Sequence, residues 1–269
     1  MLGIGALIFG AFAIDVLSNY SWLKAGAVVM LFAWFVLIVV HELGHALMAA
    51  SLGWHVCRIV IGVGTPVARF RVWDVPVEIC RYPVGGHVVP APTSLAGARW
   101  KSVLVFSAGP AAELLVALGI LLIVGSDKLL AQPSDLWTLS AQSVAVAALL
   151  GAGFNLIPIP TREGQATDGL GMLLSPFLPN EVFEEHLALP YTTQAESLLL
   201  AGRAKQAATI LQEGVSRLGD HLPARVALSA ALFEANAPHK VVELLDPLIE
   251  RSDVPNSLKP RILALLALA

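Results

Sequence analysis

The stretch Met30-Leu-Phe-Ala-Trp-Phe-Val-Leu-Ile-Val-Val-His41-Glu42-Leu-Gly-His45 decides the reading of this chain. A long apolar run ends in HisGluLeuGlyHis at 41–45. Two histidines four residues apart lie on one face of a helix, where both imidazoles can share a zinc ion. Glu42 then sits beside the metal, placed as a general base for a water molecule whose pKa the ion lowers toward neutrality. The reaction class this points to is amide hydrolysis. HisGluxxHis also arises by chance in helices, and paired histidines can simply hydrogen-bond within a bundle. Here, however, three polar groups interrupt a run as apolar as a membrane span, and ionisable groups at that depth are costly unless they are paired or functional.

The rest of the sequence fits a membrane setting. Hydrophobic residues make up 56% of the 269 residues and charged ones only 14%, well outside the usual soluble balance. Four segments are apolar enough for spanning helices: 2–18, 26–50, 102–124 and 138–157, the first weakened by Asp15 near its end. It lacks a basic leader and a small-residue cleavage site, so it reads as a retained helix. Between the second and third segments, Val56 to Val89 is rich in β-branched residues, with GlyThrPro at 64–66 and AspValPro at 74–76. That pattern predicts short strands and hairpins packed on the helices or at the surface. The 51–101 loop holds Arg58, Arg69, Arg71, Arg81, Arg99 and Lys101, against Lys24 and Lys128 on the other side, so charge asymmetry places it in the cytoplasm. With four crossings, everything after Asp168 shares that face. Trp22, Trp54, Trp100 and Trp137 fit an interfacial belt, and Cys57 and Cys80 fit neither a metal pair nor a disulfide framework. A net charge of −3 with a pI near 6.1 excludes a basic nucleic-acid surface.

After Pro190 the pattern turns amphipathic. Gly202 aligns with Asn236, Ala207 with Val241 and Leu211 with Leu245, each pair 34 residues apart, the tetratricopeptide period. A third copy begins at Leu258 with a single helix before the last residue, leaving its apolar face in need of a cap or a partner.

A catalytic zinc needs a third protein ligand and an open position. AsnLeuIleProIlePro at 155–160 ends the fourth apolar segment, and AspGly at 168–169 opens a short apolar one. Asp168 therefore sits at a helix start, where it is either a ligand or an ordinary N-cap. Four landmarks in order now resemble the site-2 protease family of intramembrane zinc metallopeptidases. They are HisGluLeuGlyHis at 41–45, TyrProValGlyGlyHisVal at 82–88, SerAlaGlyPro at 107–110, and AsnLeuIleProIlePro followed by AspGly at 168–169. The likeness covers about residues 25–178. It implies that Asp168 is the third zinc ligand, that the site lies within the membrane near its cytoplasmic side, and that the substrate is a membrane-spanning helix that must partly unwind. The 82–88 hairpin and the 155–160 stretch would then pair with the unwound strand. Asn155 would hold that strand or the developing oxyanion, or else satisfy backbone groups freed by the prolines. Two departures stand out. Glu113 occupies a position where the family commonly has asparagine, and the insert 161–167 lengthens the gap before the aspartate. Glu113 is then a buried hydrogen-bonding acid or, as a second option, a competing ligand, and Glu163 remains an alternative third ligand.

The expected protein is mostly α-helical: a polytopic membrane helical bundle with a small β-hairpin insertion, residues 1–180, followed by a cytoplasmic helical-repeat, tetratricopeptide-like domain, residues 181–269. Its expected activity is zinc-dependent endoproteolysis within the bilayer, with His41, His45 and Asp168 as zinc ligands, Glu42 as base and Asn155 assisting. Expected partners are a membrane-protein substrate with a transmembrane helix, the lipid bilayer and a protein docked on the tail. The rival is a catalytically silent membrane adaptor recruiting partners through the repeats, which the intact Glu42 argues against.

Overall fold

The computed structural model describes residues 18, 21–160, 166–252, 254–256 and 258–269. Apart from Ser18, the apolar segment expected at 2–18 lies outside these residues, as does Glu163 with the rest of 161–165.

Among the described residues, three helices are long and apolar enough to cross a membrane: α1 (Trp22–Ser51), α2 (Ala98–Val124) and α4 (Leu136–Leu156). Between the last two lies the one-turn α3 (Ser126–Leu130). Each long helix starts two to four residues before its expected position, and at α1 and α4 a side-chain cap sets the first turn. The Ser21 side chain accepts from the Lys24 amide, and Asp135 accepts from the Thr138 amide at 2.8 Å. That backbone hydrogen bond holds the Asp135 carboxyl below its ordinary range. The three helices pack on one another through small residues, with Ala33, Ala117, Ala147 and Ala148 around Leu37. Gly44 brings α1 against the backbone of α2, where an added Cβ would lie 2.5 Å from the Ala108 carbonyl oxygen. Outward-facing Val36, Leu47, Leu115, Leu122, Leu149 and Phe154 are all more than half exposed, which suits helices surrounded by lipid. 

The insertion is a small two-stranded antiparallel sheet of β1 (His55–Val72) and β2 (Val75–Ala91), with strands longer than the short ones expected. Chain reversal occurs at Trp73 and Asp74, both at positive φ, with Val72 facing Val75. The 82–88 segment is therefore no hairpin. It is an interior stretch of β2, and Pro83, Val84 and Gly85 bulge between the pairs Val63–Tyr82 and Ile61–Gly86. Repeated register shifts give Ile59, Val60 and Ile61 partners in two places, Gly86–Val88 and Val77–Ile79. Ile59 and Val77 pack with Ala46 of α1, which fixes the sheet beside the HisGluxxHis turn.

After the short α5 (Asp168–Leu174) and a 3₁₀ turn at Ser175–Phe177, α6 (Asn180–Leu187) returns to the membrane bundle. Its Phe183 is buried with Ala49, Ala98, Val105 and Trp54. Trp54 is thus a core residue at 6% exposure rather than part of an interfacial belt, while Trp100 and Trp137 are largely exposed. The remaining helices are α7 (Leu189–Leu200), α8 (Ala204–Leu218), α9 (Leu222–Glu234), α10 (Pro238–Ile249) and α11 (Lys259–Leu268). Successive helices pack on each other, and α9 also packs on α7 and α11. Gly202 and Asn236, the aligned turn positions, both adopt positive φ, 71° and 57°. Leu211 and Leu245 are both almost fully buried.

Candidate metal centre

His41 and His45 are one turn apart on the buried side of α1, and their Nε2 atoms lie 3.0 Å from each other. The Asp168 carboxylate comes between them, with Oδ2 at 2.9 Å from His41 Nε2 and Oδ1 at 3.3 Å from His45 Nε2. The three residues form a buried group able to hold a metal ion. Asp168 reaches it through a tightly closed loop. Thr167, the N-cap residue of α5, donates its hydroxyl to the Ile157 carbonyl at 2.7 Å and accepts from the Ile159 amide at 3.0 Å. Gly169 lies against the Leu156 carbonyl and Gly171 against the Phe106 ring, contacts that a Cβ would obstruct. Ser175 then ties the end of α5 to α2, donating to Gly171 O at 2.6 Å and sharing a hydrogen bond with Ser102 at 3.0 Å. Asp168 itself does not cap the helix, and its carboxylate is left for the histidines.

The second ring nitrogens are fixed from α2. His45 Nδ1 lies 2.6 Å from the Val105 carbonyl oxygen. A carbonyl cannot donate, so Nδ1 carries the proton. His41 Nδ1 donates to Glu113 Oε2 at 3.1 Å. In the neutral imidazoles both Nε2 atoms then present lone pairs to the Asp168 carboxylate. Although Asp168 Oδ2 is close to His41, the approach lacks hydrogen-bond geometry, and this buried oxygen has no hydrogen-bond partner among the described residues. Three acceptors facing one another without a donor are a poor arrangement unless a cation lies among them. Their separations also suit zinc, whose bonds of about 2.0–2.2 Å to nitrogen and oxygen place tetrahedral ligands roughly 3.3 Å apart.

Two glycines keep this space open. A Cβ on Gly109 of the AlaGlyPro element would overlap Nε2 of both histidines, and one on Gly86 would lie 2.7 Å from Glu42 Oε1. Glu42 is 4% exposed, and its Oε2 is likewise buried without a hydrogen-bond partner among the described residues. Asn155, near the end of α4, donates from Nδ2 to the Gly151 carbonyl one turn earlier at 3.1 Å. Glu113 contacts His41 on the nitrogen opposite the converging group, and Gly151 makes room for its carboxylate. Sequence reasoning identified the polarity of Glu113 but not its partner. It also gave no role to Thr167, whose hydroxyl closes the loop before Asp168.

Residues 29–146 match Peptidase family M50. A "Putative zinc metalloprotease" of Chlamydia trachomatis serovar D is 32% identical over 104 residues, covering 30% of this chain and 17% of that protein. The "Membrane metalloprotease ARASP, chloroplastic" of Arabidopsis thaliana is 40% identical over 75 residues, covering 28% of this chain and 16% of that protein. The matched part of this chain thus spans less than a fifth of either relative's length. Across the membrane helices that carry His41, Glu42, His45, Gly109 and Glu113, the chain is similar to Peptidase family M50, and Asp168 lies beyond the matched residues.

Proposed function

We propose that the chain is a zinc-dependent endopeptidase of the site-2 protease type, cutting peptide bonds in or near transmembrane segments. One observation carries this reading: three buried acceptor groups, two imidazoles and a carboxylate, converge at 2.9–3.3 Å beside a buried glutamate with an oxygen unpartnered among the described residues. His41, His45 and Asp168 would hold the ion, with Glu113 and the Val105 carbonyl fixing the imidazoles so that Nε2 faces it. Zinc bound there would lower the pKa of water and polarise the scissile carbonyl. Glu42 would accept the proton as water oxygen bonds to the carbonyl carbon, then deliver it to the departing amine nitrogen as the amide C–N bond breaks. Asn155 uses one N–H on Gly151, so its second N–H remains for the substrate strand or the developing oxyanion.

A helical substrate offers no free backbone amides, so its segment at the site would unwind and pair with extended chain of β2 or of 157–160. The basic sheet and the helical tail would lie on the cytoplasmic face, by the charge asymmetry around the spans. The equal spacing of Gly202 and Asn236 and of Leu211 and Leu245 supports a tetratricopeptide-like tail that docks a protein partner. The test is cleavage of a model membrane helix by the purified chain in lipid vesicles. Wild type should cut it and Glu42→Gln should not; equal processing of the helix by both would remove Glu42 from the mechanism.

A further inference from the structure

A cavity of about 350 Å³ opens within the sheet, lined by Arg58, Glu78, Cys80, Gly86 and His87 among others. Its position makes it relevant to the proposed peptidase. Gly86 belongs both to the cavity wall and to the surface facing Glu42 Oε1, so the two spaces share one residue of backbone. A substrate strand lying at Glu42 along Gly86 would bring the side chains that flank the cut bond toward this cavity.

The charges in the cavity are unequally committed. Glu78 Oε1 accepts from Arg69 Nε at 3.2 Å, which neutralises the acid. Arg58 has no hydrogen-bonded acid of its own among the described residues. Its Nε is buried without a hydrogen bond to any of them, and the ion pair its guanidinium makes among them is with Glu196 of α7, at 3.9 Å, where Glu196 is more than half exposed. Such a long, solvated pair contributes little and is readily exchanged. His87 is kept neutral, its pKa lowered first by burial and then by Arg58. The cavity therefore holds one under-used cation with a fork of donors suited to a carboxylate.

We infer that this cavity is a specificity pocket in which Arg58 binds an aspartate or glutamate side chain on the flank of the substrate helix, and that Glu196 of the tail occupies Arg58 until substrate displaces it. The inference rests on the peptidase reading for the substrate's identity. It also gives the tail a role at the site, because α7 packs directly on β1.

The experiment uses the full chain with paired membrane-helix peptides that differ only by Asp or Asn at one flank position, scanned over the three residues on either side of the cut bond. Binding is read by fluorescence anisotropy on Glu42→Gln, and cleavage on wild type. At one position the Asp peptide should bind and be cut about tenfold better, as expected for a charge-assisted hydrogen bond. Adding Arg58→Gln should bring that ratio to about one while zinc content is retained. Glu196→Gln should improve the Asp peptide about twofold and leave the Asn peptide unchanged. Cleavage without any Asp preference, or a preference that survives Arg58→Gln, would overturn the pocket. Asp-selective binding without cleavage would leave the pocket standing and contradict the peptidase reading instead.

Discussion

Glu113 Oε2 accepts a hydrogen bond from His41 Nδ1 at 3.1 Å, across 72 residues of sequence. This contact fixes both the tautomer and the ring orientation of a proposed zinc ligand, and carboxylates in such positions also raise ligand basicity. Glu113→Ala should therefore weaken zinc binding about 10–100-fold. Glu113→Gln keeps an acceptor but loses the charge, so it should fall between wild type and Ala. Competition with a chromophoric chelator would measure both variants; unchanged affinity in Glu113→Ala would mean that the contact is structural only.

The glycines beside the site should separate metal binding from catalysis. Gly109→Ala places a methyl group on both Nε2 positions, so zinc should be lost while helix content by circular dichroism is kept. Gly86→Ala directs its methyl at Glu42 Oε1 and the Val60 carbonyl. It should depress cleavage at least tenfold, a barrier change of about 1.4 kcal/mol, with zinc still bound. Equal zinc loss in both variants would argue against this division.

Much of this arrangement was legible from short-range pattern. HisGluxxHis needs only helical spacing, and the prolines after Asn155 mark the end of α4 wherever the rest of the chain goes. Contacts that depend on tertiary placement were not legible. Nothing local in the sequence pairs Glu113 with His41, Gly86 with Glu42, or Trp54 with Phe183. The AspValPro signal at 74–76 does mark the chain reversal, which falls at Trp73–Asp74. The hairpin expected at 82–88 is absent for a different reason: Pro83, Val84 and Gly85 bulge within β2 and Gly86 pairs with Ile61, which brings Gly86 beside Glu42.

Burial pushes the Cys57 thiol from about 9 up to about 12. A raised pKa keeps the thiol protonated, so at pH 8 the reactive thiolate should be roughly 10³ times scarcer than in an ordinary cysteine. Cys57 should resist iodoacetamide in the folded protein and react on unfolding. The sign for stability follows. Below about pH 9 the thiol is neutral in both states and costs nothing, and between about 9 and 12 unfolding is increasingly favoured because only the unfolded chain ionises. Rapid labelling of folded Cys57 at pH 8 would contradict the half-buried placement of its thiol.

In the tail, Leu211 and Leu245, 34 residues apart, each sit in a separate cluster of buried residues. Each Leu→Ala change should cost about 2–5 kcal/mol of tail stability, read by thermal unfolding or limited proteolysis of the full chain. A change at either position that left the tail as resistant as wild type would contradict the proposed repeat packing.

The central claim is that His41, His45 and Asp168 together hold one zinc ion, and bound zinc per purified chain tests it most directly. Wild type should carry close to one equivalent, and His41→Ala and Asp168→Ala should each lose it. Zinc that survives Asp168→Ala, or a wild-type protein that binds none, would contradict the account.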